Sequence, residues 1–251
     1  MSIITYKVYA ALLIFILSIA AIIYPIKVRA YPKHNELLEL GDALASGIFL
    51  GAALFHMLPN AIHGFAAVLT NIHYPLAELF CAVGFLLLIF LERLSGNSED
   101  YHDSVPYVVA LIIIIHSLIE GTVLGINTSI ATASIIFVAI IAHKSSESFA
   151  LAVILNQAKI AMRPLLGIII IFSLMTPLGI ALGTSMSLYL QSDRGQLISA
   201  AFNAFAAGTF LYMSTLHHIN HHKRSHYGEG LREFFLLVVG LGIMAGVAAW
   251  T

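Results

Sequence analysis

Charge is scarce in this chain. Of 251 residues only 12 are Lys or Arg and 13 are Asp or Glu, 10% in all, where a soluble domain carries roughly 25%. That is too little to cover the surface of a soluble protein of this length, so a water-soluble globule with a large core is set aside. The net charge of −1 supplies no basic field for a polyanion, and no nucleic-acid partner is expected. Cysteine is nearly absent. Cys81 stands alone, which excludes an internal disulfide and any multi-cysteine metal site. Also missing are the alternating apolar and polar residues of a membrane barrel strand and the H-E-x-x-H pair of a zinc protease.

What the chain does hold is long apolar runs. Spanning a bilayer takes roughly 20 mostly apolar residues, and eight stretches qualify, at about 4–24, 38–60, 75–94, 106–128, 131–157, 163–188, 196–219 and 231–250. They are continuously apolar, so helices rather than barrel strands are expected. The breaks fall at "KVRAYPKHNE", "HGFAAVLTNIHYP", "SGNSEDYHDSVP", "NQAKIAMRP", "YLQSDRGQ" and "NHHKRSHYGEG". No soluble domain interrupts the spans, so residues 1–251 read as one polytopic, all-α membrane domain in contact with lipid. The run Val8 to Tyr24 is long for a signal peptide. Its positive charges, Lys27, Arg29 and Lys33, follow it rather than precede it, so it is expected to stay as a span.

Lys and Arg set the expected orientation. The connections after spans one, three, five and seven hold nine of them: Lys27, Arg29, Lys33, Arg93, Lys159, Arg163, Lys223, Arg224 and Arg232. The opposite side holds Lys7 and Arg194, and Lys144 lies inside a span. Both termini should therefore face away from the cytoplasm, in a cell membrane (plasma or inner) or an organelle.

Ionisable groups at membrane depth are expensive and usually functional. Span four, "YVVALIIIIHSLIEGTVLGI", carries His116, Ser117 and Glu120. Span five, "VAIIAHKSSESFALAV", carries His143, Lys144 and Glu147. Each repeats a histidine with a glutamate four residues on, and positions i and i+4 share one helix face. Two such helices joined by a short turn run antiparallel and can present two imidazoles and two carboxylates to one point. That set suits Zn²⁺, Fe²⁺ or a similar dication, whose charge two carboxylates neutralise. Two ordinary buried pairs stitching helices together are the plainer alternative. Lys144, with Glu147 one turn away, would relieve repulsion between the carboxylates and discourage a second metal; a simple helix-to-helix salt bridge is its plainer role. His56 sits near the outer end of span two, where a hydrogen-bonded helix-end histidine is the simpler reading and a way in for the ion the functional one. Pro177 should bend span six, and Gly47 and Gly51 suit close helix contact. After span seven, His217, His218, His221 and His222 form a cytoplasmic cluster able to bind metal loosely on its way in or out.

These residues resemble a known family. "HSLIEG" and "HKSSE" look like the paired signatures of the ZIP (Zrt/Irt-like) metal transporters, in the branch with a short loop between spans three and four. "FHMLPNA", "FSLMTPLGIALG" and "AAGTFLYM" are similar to family segments in spans two, six and seven. The resemblance covers nearly the whole chain. It implies a helical bundle in which spans one to three and six to eight are inverted repeats around spans four and five. It implies movement of divalent transition metals, chiefly zinc, into the cytoplasm, with His116, Glu120, His143 and Glu147 as ligands. Ser117 and Lys144 stand where some members have Asn and Asp ligands to a second metal, so one ion is expected. His217 stands where many members have a glutamate.

The expected function is therefore transport, not catalysis. Zn²⁺, or Fe²⁺, Mn²⁺ or Cd²⁺, would be the substrate, with no prosthetic group. A homodimer is compatible with this reading. An ion would pass His56, and His63 or His73 on the outer side, shed its water at the four ligands, and leave toward the histidine cluster as the bundle rocks. Three other classes remain: a proton-coupled carrier of an organic substrate, using the same acids as a relay; a metal-sensing membrane protein without transport; and a membrane di-iron hydroxylase or desaturase. The last would use His218-Ile-Asn-His221-His222, whose H-x-x-H-H spacing occurs once where such enzymes need several.

Overall fold

The computed structural model describes residues 2–28, 36–71, 73–95, 105–158, 160–186, 192–217 and 229–249. Every regular element among them is helical. Span 1 is Ile3–Val28. Span 2 joins Glu36–Ala52, a π turn at Ala53–Met57 and Leu58–Val68. Spans 3 to 6 are Leu76–Ser95, Val105–Ile126, Ile130–Gln157 and Met162–Ser185. Span 7 joins Asp193–Tyr212 to a π turn at Met213–His217, and span 8 is Glu229–Ala248.

Seven of these are long and apolar enough to cross a bilayer. Span 3, of 20 residues, carries more charge, but its Glu78, Glu92 and Arg93 lie near its two ends, where charged side chains can reach the interface. Span 2 runs further than expected, through "HGFAAV" to Val68. Ala61 is buried there, and a Cβ on Gly64 would lie 2.9 Å from the Cβ of Ala200 in span 7, so tertiary packing extends the helix past its polar residues. Pro177 lies inside a continuous helix, as does Pro25 in span 1.

The most extensive pairings sort the spans into two sets, 1, 4, 5, 6 and 2, 3, 7, 8, which one shared buried core and a span 2 to span 5 contact join. Span 4 packs most extensively on span 6, and span 1 on spans 5 and 6. Span 3 packs on span 7, and span 2 on spans 8 and 7. Exchanging 1 with 6, 2 with 7, 3 with 8 and 4 with 5 turns this set of pairings into itself, as inverted repeats require. The glycines follow the same exchange. A Cβ on Gly84 would meet Phe205 O of span 7 at 2.1 Å, and one on Gly208 would meet Cys81 O of span 3 at 1.9 Å. Likewise, Gly47 would meet Leu237 O of span 8 at 2.0 Å, and Gly240 would meet Leu44 O of span 2 at 2.4 Å. In each pair either glycine would strike the carbonyl three residues before the other. Such backbone-to-backbone contact is how helices associate in lipid, where no hydrophobic drive separates protein from solvent.

Candidate metal site

His116 is the twelfth of the 22 residues of Val105–Ile126, and His143 the fourteenth of the 28 of Ile130–Gln157. Both therefore lie near mid-span. The i+4 spacing puts Glu120 and Glu147 one turn further along the same faces, and the two helices turn those faces together. Each of His116, Glu120, His143 and Glu147 offers one ligand atom, and the four atoms lie within 4.8 Å of one another. All four residues are buried, at 1%, 6%, 0% and 0% exposure.

Glu120 Oε1 is 3.1 Å from His116 Nε2 and 2.5 Å from His143 Nε2. Glu147 Oε1 is 3.4 Å from His116 Nε2 and 3.8 Å from His143 Nε2. A tetrahedral Zn²⁺ with bonds of ~2.1 Å wants donors about 3.4 Å apart, and these four distances bracket that value. Glu120 and His143 share a hydrogen bond, and Glu120 Oε1 also pairs with His116 Nε2. Glu147 Oε1 is fully buried with no hydrogen-bond partner; buried polar atoms without partners call for an explanation, and an ion held among the four side chains would provide one.

Other side chains surround this set. The Lys144 ammonium donates to Ser117 Oγ across the helix pair and to Glu147 Oε2 at 3.2 Å, and sits 4.2 Å from the Phe172 ring centre of span 6. The Phe210 ring of span 7 meets the His116 ring edge-on at 5.3 Å, and Phe49 of span 2 packs on Phe210. Neither Phe172 nor Phe210 carries a sequence signal that separates it from other apolar residues. Span 6 brings a further polar feature, because Ser173 and Thr176 are buried with unpartnered hydroxyls beside Pro177.

His56 is not a helix-end residue. It lies in the π turn of span 2, the helix continues twelve residues past it to Val68, and its ring centre is 5.8 Å from that of His143. Pro59 explains the turn. In a regular helix its ring would press on the carbonyl of Phe55 and it could donate nothing back; the wider turn, closed by Leu58 N–H to Ala53 O, relieves the clash. Near the ends of spans 2 and 4 and the start of span 7 is a cleft of about 270 Å³, lined by Asn60, Thr122, Asn127, Gln196 and Asn203 among others, with no ionisable side chain on its walls. His63 and His73 are exposed and do not line it. The backbone of His217 belongs to the second π turn, while His218, His221 and His222 lie outside the described residues.

Comparison with known proteins settles the family. The profile of the family described as ZIP Zinc transporter matches residues 4–104 and 98–248. The chain belongs to the ZIP family. It is 28% identical to Zinc transporter ZIP1 of Takifugu rubripes over 86% of each chain. It is 25% identical to Zinc transporter ZIP1 of Bos taurus over 96% of this chain and 90% of that one. With Zinc transporter 1 of Oryza sativa subsp. japonica the figures are 24%, 97% and 83%. ZIP proteins are transporters rather than enzymes, and in such a protein a metal is a substrate, not a prosthetic group. The buried His/Glu set of this ZIP protein fits a divalent metal ion.

Proposed function

We propose that this ZIP protein carries Zn²⁺, or a similar dication such as Fe²⁺, Mn²⁺ or Cd²⁺, into the cytoplasm through one intramembrane site made by His116, Glu120, His143 and Glu147. The observation that supports this most is the convergence of four buried donor side chains whose ligand atoms lie within 4.8 Å of one another. Two carboxylates against a dication make burial of the charge tolerable. Donors within 4.8 Å of one another leave no room for an organic substrate, which argues against a proton-coupled carrier of that kind. Di-iron chemistry would need more donors than this set offers.

The cleft is the way in. Six waters of a hydrated dication occupy roughly 180 Å³ at ~30 Å³ each, which a cleft of about 270 Å³ accommodates. Its amides and hydroxyls can exchange hydrogen bonds with that shell without seizing the ion. His56, one turn before Asn60 of the cleft, takes the place of a first protein ligand as water is shed. The ion then leaves on the opposite side, toward His217 and the His218, His221, His222 cluster, as the two sets of spans shift as bodies.

The excess of Lys and Arg after the odd-numbered spans supports non-cytoplasmic termini in a cell membrane. The exposed apolar face of span 8, with Leu231, Phe234 and Phe235, suits lipid, and a homodimer is the assembly we propose. Light scattering of the detergent-solubilised protein reads the assembly, and tags at either end, probed on intact cells, read the orientation. The deciding experiment is radioactive zinc uptake by metal-starved cells. Glu120→Ala and His143→Ala should each abolish uptake with the protein still in the membrane. Normal uptake by both variants would refute the site.

A further inference from the structure

The two oxygens of Glu147 have different surroundings. Oε2 accepts from Lys144 Nζ at 3.2 Å. Oε1 has no hydrogen-bond partner and faces the imidazoles, 3.4 Å from His116 Nε2 and 3.8 Å from His143 Nε2. We propose that Lys144 is a positioning residue for transport: a fixed internal cation that confines Glu147 to a one-oxygen grip on the metal and keeps that grip weak enough to let go. This rests on the metal-carrying reading of the same site.

Lys144 is held from three helices. Its ammonium has three N–H groups. One goes to Ser117 of span 4 and one to Glu147 of its own helix, while Phe172 of span 6 offers a ring face at 4.2 Å. The side chain is fully buried. An ammonium fixed this way has no reason to move when an ion arrives, because the ion takes Oε1 and Lys144 keeps Oε2. Glu120 has no such restraint, since its Oε2 is unpartnered.

The charges then decide the strength of binding. Two carboxylates and the ammonium sum to −1 in the empty site and +1 with a dication present. Without the ammonium the sums are −2 and 0. An ion bonded to Oε1 at ~2 Å lies about 5 Å from Nζ, and a like charge at that range inside a protein weakens binding by at least about tenfold. A carrier must release its cargo every cycle, so weaker binding raises the rate wherever release is the slow step.

The test uses purified protein in liposomes, with radioactive zinc, and zinc titration of the detergent-solubilised protein. Lys144→Gln removes the charge while keeping an N–H donor on a side chain one bond shorter. Lys144→Met removes both, and Lys144→Arg keeps the charge. For Gln and Met the dissociation constant should fall at least about tenfold, with half-saturation and maximal rate falling together. Arg should stay near the native affinity. Unchanged or weaker zinc binding by Lys144→Gln, or a slower rate without tighter binding, would overturn the proposal. If Lys144→Met fails to fold, the Gln and Arg pair still decides it. Such a result leaves the metal site itself standing; only retained transport by Glu120→Ala and His143→Ala removes that.

Discussion

His56 lies one turn before Asn60, which lines the cleft; it is half-buried, with its ring 5.8 Å from the His143 ring. It is near enough to hand an ion on and stands outside the group of four that lie within 4.8 Å. Its removal should therefore hinder arrival and leave translocation intact. In His56→Ala we expect half-saturating zinc to rise roughly tenfold, the value of one lost contact of ~1.4 kcal/mol, with the maximal rate near native. Uptake measured over a range of zinc concentrations separates the two; a collapsed maximal rate would instead make His56 part of the site. The four donors were legible in the sequence because i+4 spacing survives any packing of a helix. His56 was misplaced for a local reason: nothing in "LFHMLP" except Pro59 announces a π turn, and a helix end is the usual consequence of such a proline. The Ser117–Lys144 bond and the Phe172 and Phe210 rings depend on which helices become neighbours, which no local pattern encodes.

At the scale of elements, close helix pairs make a sharper prediction than hydrophobicity does. Gly208 allows span 7 to touch span 3 through backbone, and a Cβ there would lie 1.9 Å from Cys81 O. Gly208→Val must push the helices apart, and overpacking of this kind costs ~1–3 kcal/mol or more. We expect most of the folded, membrane-inserted protein to be lost. Gly167, on span 6, has nothing within 4 Å of a built Cβ. Gly167→Ala should be neutral or should stabilise by up to ~1 kcal/mol through helix propensity. Thermal unfolding followed by size-exclusion in detergent checks both, and equal behaviour of the two variants would mean that glycine contacts do not hold these spans together. Helix type was legible from continuous apolar runs, while ends were not. The second half of span 2 persists through His63 and Gly64 because Ala61 and Gly64 pack inward, and burial of that kind outweighs the polar residues that suggested a loop.

For the whole molecule, the division into spans 1, 4, 5, 6 and spans 2, 3, 7, 8 has a mechanical consequence. All four donors ride on the first body, and His56 and Phe210 on the second. Relative motion of the bodies would therefore carry the site away from its covering side chains, while the four donors keep their mutual geometry. Contacts within a body should persist through the cycle and contacts between bodies should break. Gly41 of span 2 and Phe149 of span 5 meet across the boundary, a Cβ on Gly41 lying 2.5 Å from Phe149 Cζ. Tyr6 of span 1 and Phe137 of span 5 meet inside one body, with ring centres 6.1 Å apart. Cys81, the single cysteine, can be replaced by serine to give a clean background. In that background, Gly41→Cys combined with Phe149→Cys introduces two thiols across the boundary. Joining them with a short thiol-reactive linker should stop zinc uptake, and reduction of a cleavable linker should restore it. The same linker across Tyr6→Cys with Phe137→Cys should leave uptake intact. If the protein linked between positions 41 and 149 transports at its full rate, spans 2 and 5 do not part. The ion would then cross a bundle that stays closed along this seam, and the route from the cleft past His56 would have to open within one body instead.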